Sequence, residues 1–540
     1  MSNPAYTAPG VYVTESLIAP PPQNQLTSPS TAGFAGEHWR GPVGVAIACN
    51  SWQQFVSFYG GFNTTNTPTL TNPWLPYAVY EFFNNGGALC YINRIQASGT
   101  PGAPGTCVLK DTAATPQSTL QLTAGFYGTT PAVNPDVGTW GNQLYAQITI
   151  PQTANPSFFN LTIYYGGTAP GNIVEQWNNL TMSKSSPRYA PTVINTSQGG
   201  SLWIVATDLG SLSAAPLNTP VTVGPVQFTG GIDTGSPSSS DRTNAFTSGN
   251  AACAFDAVPG VLNINAPGET TSAVLGQAIT YCSSGASGRP YSFLVIDPVQ
   301  GATPASAVSY MQTLQGLSNS SFAALYYPWC NVVNPASSAL QATIDMPPGG
   351  IVLGQMTSVD SANGPWYAPA GMGTTLDGVV STERSLTPAN LGTLNLANIN
   401  ALKTLPNGQV IIWGARTMLT QLTDVYVPIR RTLNYVESGL SQQLQYAVFQ
   451  PNDALLWSAI TSTCTNFLAN MAARNAFQGV TQAQQFYVIC NSTNNTPSTI
   501  QQGVVNIQIG LALNYPAEFI QLNIQQFTST GIVQTSTNIA

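Results

Sequence analysis

The sequence predicts a mixed α+β and α/β protein of several domains, with a mostly β segment inserted between α/β parts. Its 540 residues correspond to roughly three or four domains at about 150 residues each. Apolar strand-like runs alternate with helical segments before residue 97 and again from about residue 245 to residue 420. Between them, short alternating runs are separated by Gly, Pro and Asn, which is typical of antiparallel β structure. Hydrophobic residues make up 43% of the chain, enough for packed cores.

The first predicted element is a strand without an evident partner. In residues 10–15, Val11 and Val13 share one face, and Tyr12 and Thr14 share the other. No hairpin turn follows this strand. A single strand leaves its backbone groups unpaired and is not stable alone, so its partner must come from elsewhere.

A proline-rich linker follows the strand. It covers residues 16–28 and contains Pro20, Pro21 and Pro22. When extended it reaches roughly 40 Å, and its prolines limit collapse and disfavour a competing helix or strand. Residues 1–30 are therefore predicted to form a strand and linker arm.

Residues 31–96 are predicted to form an α/β segment. A helix is expected from Ser51, its N-cap, to Gly60, which ends it. A second helix covers residues 75–85 and is followed at short spacing by a buried strand at residues 88–95.

Residues 97–230 are predicted to form an inserted β-rich domain. Residues 143–150 and 161–165 alternate between apolar and polar side chains, and turn residues separate such runs.

Residues 241–420 return to alternating strands and helices. The near-continuous apolar run at residues 291–297 predicts a strand covered on both faces. A helix at residues 305–316 and a strand at residues 322–327 complete a βαβ pattern.

Residues 421–540 are predicted to form two helices followed by two strands. The helices cover residues 428–448 and 453–476. The apolar residues of the first strand are Val505, Ile507, Ile509, Leu511 and Leu513. Those of the second, in residues 518–525, are Ile520, Leu522 and Ile524.

The composition argues against an enzyme and against nucleic-acid binding. Charged residues make up only 6% of the chain, against about 25% in ordinary soluble domains, and low charge favours association between copies. The net charge is −7, and the 13 Lys and Arg residues form no basic patch. His38, the only histidine, suits a turn or packing role, and Asp297 before Pro298 suits a turn. We find no motif for a phosphate, dinucleotide or zinc site and expect no cofactor.

Neither a membrane span nor a secretion signal is expected. No stretch approaches the roughly 18 apolar residues of a spanning helix. The N-terminus also lacks a basic segment followed by an apolar run.

Motifs in a characteristic order run along nearly the whole chain. The most specific are Pro9-Gly10-Val11-Tyr12, Phe82-Phe83-Asn84-Asn85-Gly86-Gly87, Trp413-Gly414-Ala415-Arg416-Thr417, Arg430-Arg431-Thr432-Leu433-Asn434-Tyr435-Val436-Glu437, Phe449-Gln450-Pro451-Asn452-Asp453 and Pro516-Ala517-Glu518-Phe519-Ile520. In these motifs the chain resembles the contractile-tail sheath proteins of tailed bacteriophages.

The resemblance implies a specific layout. An inner domain would be built from both chain ends and contain an inter-subunit β-sheet, a middle domain would be subtilisin-like α/β without catalytic residues, and the β-rich insertion would project outward. The N-terminal strand of one subunit would join C-terminal strands of others. The donated residues would be Val11, Tyr12, Val13 and Thr14, and the receiving strands would contain Ile507, Ile509, Leu511, Ile520, Leu522 and Ile524.

The resemblance also implies the function and the partners. The chain would polymerise as stacked six-membered rings around a tail tube and contract to drive that tube through a host envelope. Its partners would be copies of itself, the tube protein, and baseplate and terminator proteins, without direct nucleic-acid contact. The tube would face a helix from Ala454 to Arg474. The protein would belong to the virion tail and assemble in the host cytoplasm.

Four charged residues in these motifs are candidate interface groups. They are Arg416, Arg430, Arg431 and Glu437. Ion pairs between subunits and ion pairs within one subunit are both open at this point.

Three alternatives remain. The first is the sheath of a non-phage contractile injection machine. The second is an adhesin whose β domain exposes aromatic platforms for glycans, namely Trp140, Tyr164, Tyr165 and Trp177. The third is a hydrolase built on the subtilisin-like layer, which lacks a credible base.

Overall fold

The structure is a computed structural model. It describes residues 30–62, 70–126, 134–151, 156–196, 199–211, 216–283, 288–317, 320–337, 339, 342–421, 425–522, 524–528 and 531–535. The predicted donor strand and linker prolines lie outside the described residues: Val11, Tyr12, Val13, Thr14, Pro20, Pro21 and Pro22.

The strands and helices below follow chain order. The strands are β1 Ala32–Glu37, β2 Ile47–Cys49, β3 Cys90–Ile95, β4 Thr106–Lys110, β5 Ser118–Phe126, β6 Asn134–Pro135, β7 Leu144–Thr149, β8 Phe158–Tyr165, β9 Ile173–Thr181, β10 Ile204–Asp208, β11 Val223–Gln227, β12 Leu262–Asn265, β13 Ser292–Ile296, β14 Ala323–Tyr327, β15 Cys330–Val333, β16 Thr343–Met346, β17 Val379–Thr382, β18 Ile399–Thr404, β19 Val410–Trp413, β20 Phe486–Ile489, β21 Gln508–Leu511, β22 Ile524–Thr528 and β23 Gly531–Thr535. The α-helices are α1 Trp52–Tyr59, α2 Leu75–Asn84, α3 Ala190–Ile194, α4 Ser239–Asn244, α5 Ser272–Ser283, α6 Pro304–Leu317, α7 Gly349–Asn363, α8 Pro388–Leu396, α9 Val427–Gln443, α10 Ala454–Ala472, α11 Gln482–Gln485 and α12 Pro497–Gln501.

A large sheet joins the chain before and after the β-rich insertion. Its strand order is β19-β18-β14-β13-β12-β1-β3-β2, and its interior pairs are parallel while β2 and β19 are antiparallel edges. Strand β1 pairs with β3 on one side and with β12 on the other, so Phe34 lies opposite both Ile92 and Asn265. The segments 31–96 and 241–420 therefore build one sheet.

Helices cover both faces of this sheet. Helices α1, α2 and α7 contribute to the core on one face, and α5, α6 and α8 contribute to the core on the other. All five residues of β13 are buried, which confirms the predicted strand covered on both faces. The predicted helix α1 is also confirmed, since the Ser51 side chain accepts from Gln54 N and Gly60 ends the helix at φ +88°.

The inserted segment is antiparallel β structure. One sheet has the order β10-β5-β4 with β6 beside β5, and the other has the order β11-β7-β8-β9. Their apolar faces share a core that contains Leu122, Ile148 and Leu161. Trp39, from the segment that follows β1, packs into the same core.

The C-terminal region has its own apolar core. It is built from α9, α10 and the small sheet of β20 and β21. The predicted face of alternating apolar residues is confirmed, because Val505, Ile507, Ile509, Leu511 and Leu513 all pack against this core.

The second C-terminal strand was predicted in the wrong place. Residues 514–522 have no regular secondary structure, and Ile520 and Leu522 are 83% and 56% exposed. The alternation there is real, but no neighbouring strand pairs with it in the described chain, and an unpaired strand is not stable. The strand β22 begins only at Ile524, and it pairs with β23, which the prediction missed.

The length and hydropathy of the described helices show whether any of them could span a membrane. Among them, none is both long and apolar enough to cross a membrane.

Candidate assembly site in the C-terminal region

The candidate assembly site is the two-stranded sheet of β20 and β21. The strands are antiparallel, with Phe486 opposite Leu511 and Ile489 opposite Gln508. Within the residues that the structure describes, neither strand has a second neighbour. No strand pairs with the outer edge of either strand in this part of the chain, although Phe486 N on the β20 edge donates to Gln482 O.

One face of this sheet is fixed against the helices. Phe486 is buried, and Ile509 and Leu511 are half-buried against the core that α10 contributes. Two strands alone are marginal in water, so this packing supplies the stability that the sheet lacks by itself. The opposite face is partly exposed, with Tyr487 at 49%.

Asparagine side chains hold the register of the sheet. Asn495 is buried; its Nδ2 donates to Asn506 O at 3.1 Å, and its Oδ1 accepts from Asn506 N at 2.6 Å. Asn494 Nδ2 adds bonds to Ile489 O and Asn506 O at 2.8 and 3.0 Å. These bonds join the chain after β20 to the chain before β21, so the two strands meet in one register.

Helix α9 ties this region to the large sheet. The guanidinium of Arg431 binds the carboxylate of Asp360 in α7, and both groups are buried. Asn434 Nδ2 donates to Ser292 O at 3.1 Å. Arg430 binds Glu437 along the same helix at 3.2 Å.

The four predicted charges all pair within the chain. Besides Arg431 and the Arg430–Glu437 pair, Arg416 binds Glu518, with its Nε 2.9 Å from Oε1. Both members of that last pair are mostly buried, and hydrogen bonding to Glu518 raises the pKa of Arg416. These ion pairs lie within one chain, and contacts of the same residues between copies stay a prediction.

The predicted receiving residues divide into two groups. Ile509 and Leu511 lie in β21, and Ile507 lies just before it. Ile520 and Leu522 lie in the irregular segment, and Ile524 begins β22. Residue patterns had not singled out β20, Asn495 or the acceptor role of Glu518, although Glu518 lies within one of the quoted motifs.

The four aromatic residues predicted as a possible glycan platform are not exposed together on the surface. Trp140 and Tyr164 are buried, and Tyr165 and Trp177 pack half-buried against the core of the insertion. A glycan platform built on these four residues is therefore wrong.

The side chains of His38 and Asp297, which were considered for hydrolysis, are both buried and have packing or hydrogen-bonding roles. Burial, with a further contribution from Arg94, lowers the pKa of His38 to about 3, so its ring is neutral and sequestered. Asp297 is buried at the end of β13 and accepts from Gly349 N at 2.7 Å at the start of α7. A side chain at Gly349 has no room, because a Cβ would lie 2.2 Å from Asn265 Nδ2.

Comparison with known proteins finds a family that matches this part of the chain. Residues 425–527 match the phage tail sheath C-terminal domain. The matched residues contain β20, β21, α9, α10 and Glu518, so the candidate assembly site lies within them.

A curated relative is also similar to part of this chain. The tail sheath protein of Vibrio phage KVP40 is 25% identical over 181 residues, which are 33% of this chain and 26% of that protein. The chain thus matches about a quarter of the length of that relative.

The fold also resembles that of solved sheath proteins. The PVC sheath complex in the contracted state matches with a TM-score of 0.55 at 20% identity, over 97% of this chain and 98% of that one. The contracted helical sheath of the anti-feeding prophage matches with 0.54 at 18%, over 97% and 100%. The sheath tail protein of Listeria innocua matches with 0.56 at 11%, over 86% and 89%.

Proposed function

We propose that this chain is the subunit of a contractile tail sheath and that copies join by sharing β-strands at the β20–β21 sheet. The observation that supports this most directly is a two-stranded sheet without a further strand beside it in the described chain, within the residues that match the sheath C-terminal domain. Strand addition satisfies the backbone groups of such an edge without needing charged surfaces. That suits a chain with only 6% charged residues.

The donated strand in this proposal is Val11–Thr14 of another copy. Each hydrogen bond that it adds contributes about 1 kcal/mol net, so one junction is modest. Every copy both donates and receives, so stacked hexameric rings are held together many times over. The linker at residues 16–28 spans roughly 40 Å when extended, enough to reach a neighbouring subunit.

Contraction in this scheme is a rearrangement of the lattice. Subunits assemble in an extended state around a tube, and a trigger at the baseplate lets them rotate into a packing that buries more surface. The linkers bend while the shared strands stay joined, so the motion passes from ring to ring. The energy is stored in the assembled lattice, and no residue acts as a catalyst.

The partners follow from the same scheme. The tube would face α10, whose exposed residues include Ser458, Ser462, Asn466 and Asn470. This helix has no charged residue from Ala454 to Ala472, so its contact with a tube would use uncharged polar groups. Baseplate and terminator proteins would bind the ends of the polymer, and the assembled product would be part of a phage tail. The sheath of a non-phage injection machine would use the same contacts.

The test is tube formation by the full chain and by variants of its N-terminal arm. Electron microscopy of the concentrated protein should show hollow tubes. A variant lacking residues 1–20 should stay folded and soluble but form none. Tyr12→Pro removes one N–H from the donated strand and should act in the same way.

The matched control places a proline in the linker instead. Gln23→Pro adds a residue of the same type where no strand hydrogen bond is expected, and it should assemble normally. Long, ordered tubes from the variant lacking residues 1–20 would refute the scheme.

A further inference from the structure

The C-terminal arm, defined here as residues 514–522, follows β21 and has no regular secondary structure. It leads to the hairpin of β22 and β23. Its side chains Phe519, Ile520 and Leu522 are 74%, 83% and 56% exposed. A segment with so little burial can adopt many orientations relative to the rest of the protein unless particular side chains fix it.

The start of the arm contacts the neighbouring parts of the C-terminal region. Asn514 Nδ2 donates to Asn475 O at 2.9 Å. The ring of Tyr515 meets the ring of Tyr426 edge-on, with 6.2 Å between the centroids. Farther along, Glu518 forms an ion pair with Arg416, which follows the edge strand β19 of the large sheet. The side chain of Tyr426 also contacts Glu518.

Arg416 is held rigidly on the side of the large sheet. Its backbone N donates to Asn400 Oδ1 at 2.6 Å, and its backbone O accepts from Asn400 Nδ2 at 2.7 Å. Its Nη1 donates to Asn395 O at 3.0 Å and reaches Asn398 Oδ1 at 3.4 Å. The remaining donors, Nε and Nη2, both bind the carboxylate of Glu518. A guanidinium fixed in this way donates to a carboxylate from one direction only.

The terminal hairpin lies a short distance beyond this anchor. Glu518 and Ile524 are separated by six residues (524 − 518), which span at most about 20 Å. The hairpin pairs from Ile524 opposite Thr535 to Thr528 opposite Gly531, and in the described chain it has no other strand beside it. The position of Glu518 therefore limits which neighbouring surface the outer edges of the hairpin can reach.

We propose that Arg416 is a positioning residue: by binding Glu518 it sets the direction of the C-terminal arm and so selects the neighbouring copy that the terminal hairpin joins. This inference rests on the proposed sheath function and deepens it. A loosened arm would still contain the same strands, but its hairpin would sample wrong neighbours, so ordered assembly would need a higher protein concentration.

The test compares Glu518→Gln with the unaltered full chain. The substitution keeps the shape of the Glu518 side chain and removes the negative charge that the guanidinium of Arg416 binds. We expect an unchanged melting temperature, faster cleavage within residues 514–522 by a protease, and a critical concentration for tubes raised by about tenfold. Arg416→Gln should impair assembly at least as much, because it also removes the Nη1 bonds to Asn395 and Asn398. The double variant should assemble no worse than Arg416→Gln alone, because the pair with Glu518 is already lost in that variant.

The matched control is Glu437→Gln. It breaks the Arg430–Glu437 pair, which lies within α9 and does not touch the arm. This variant should form tubes at the unaltered critical concentration. An equal defect in Glu437→Gln would overturn the inference, as would a Glu518→Gln variant that melts earlier but assembles normally.

The outcomes also separate this inference from the function on which it rests. If the unaltered chain forms tubes and Glu518→Gln forms the same lattice at the same concentration, only the positioning role is wrong. If the unaltered chain forms no tubes under any condition, the sheath function fails and the positioning role fails with it.

Discussion

At the scale of single residues, Asp297 shows how this chain places a carboxylate in its interior. Its side chain accepts from Gly349 N at 2.7 Å, from Gly268 N at 3.0 Å and from Asn265 Nδ2 at 3.1 Å. These donors hold the end of β13 against the start of α7. Burial nevertheless outweighs them and raises the pKa of Asp297 to about 6.

This pKa predicts a particular pH dependence of stability. Between about pH 4 and pH 6 the folded chain keeps the proton on Asp297 while the unfolded chain has released it, so raising the pH favours unfolding. The free energy of unfolding should fall by about 3 kcal/mol across that range because of this group. Asp297→Asn should remove this contribution, and urea unfolding of both proteins at several pH values measures it. A constant difference between the two proteins from pH 4 to pH 6 would contradict the prediction.

At the scale of elements, the β20–β21 sheet depends on side chains that lie outside its strands. Each strand has four residues, and their pairing alone is marginal. The packing of Ile509 and Leu511 on the α10 core and the two bonds between Asn495 and Asn506 supply the rest. An edge offered to another copy must first be held in place within its own copy.

Removing the Asn495 side chain should loosen this edge. Asn495→Ala removes the acceptor of Asn506 N and one of the two donors to Asn506 O, which Asn494 Nδ2 still binds. Each lost hydrogen bond costs about 0.5–1.5 kcal/mol. Urea unfolding should show this loss, and tube formation should require more protein. Asn470→Ala, at an exposed position of α10, is the matched control and should change the stability by less than about 0.5 kcal/mol. Equal stability of the two variants would show that the asparagine bonds do not support the sheet.

At the scale of the whole molecule, the scarcity of charge sets the kind of contact that copies can make. Only 33 of 540 residues are charged (13 + 20), and several of them pair within the chain. Arg94 binds Asp136 across the junction between the large sheet and the β-rich insertion, and both are buried. Little charge is left for contacts between copies, so backbone hydrogen bonds and apolar burial must dominate them.

Assembly should therefore depend weakly on salt. Exposed ion pairs are screened as the Debye length falls from about 10 Å at 0.1 M to about 3 Å at 1 M, whereas strand pairing is not. We expect the critical concentration for tubes to change by less than about threefold between these two salt concentrations. Light scattering over a dilution series measures it. A rise of more than tenfold in high salt would mean that ion pairs hold the lattice.

Much of the architecture follows from local patterns. The capping by Ser51, the buried run of β13 and the alternating face from Val505 to Leu513 depend on neighbouring residues, and periodicity reports such local preferences directly. The ordered motifs indicated a resemblance to sheath proteins from the residues alone, and the match of residues 425–527 to the sheath C-terminal domain agrees with it.

The tertiary structure decided which distant parts of the chain meet. Periodicity cannot tell that β1 pairs with β12, that Glu518 reaches Arg416 across 102 residues, or that residues 518–522 lack a partner strand. A strand exists only where a second strand supplies hydrogen bonds, and an ion pair exists only where the fold brings two charges together. The sequence by itself therefore predicted many of the local elements and the resemblance to sheath proteins. The contacts between distant residues determined the β20–β21 edge and the Arg416–Glu518 pair, on which the proposed assembly depends.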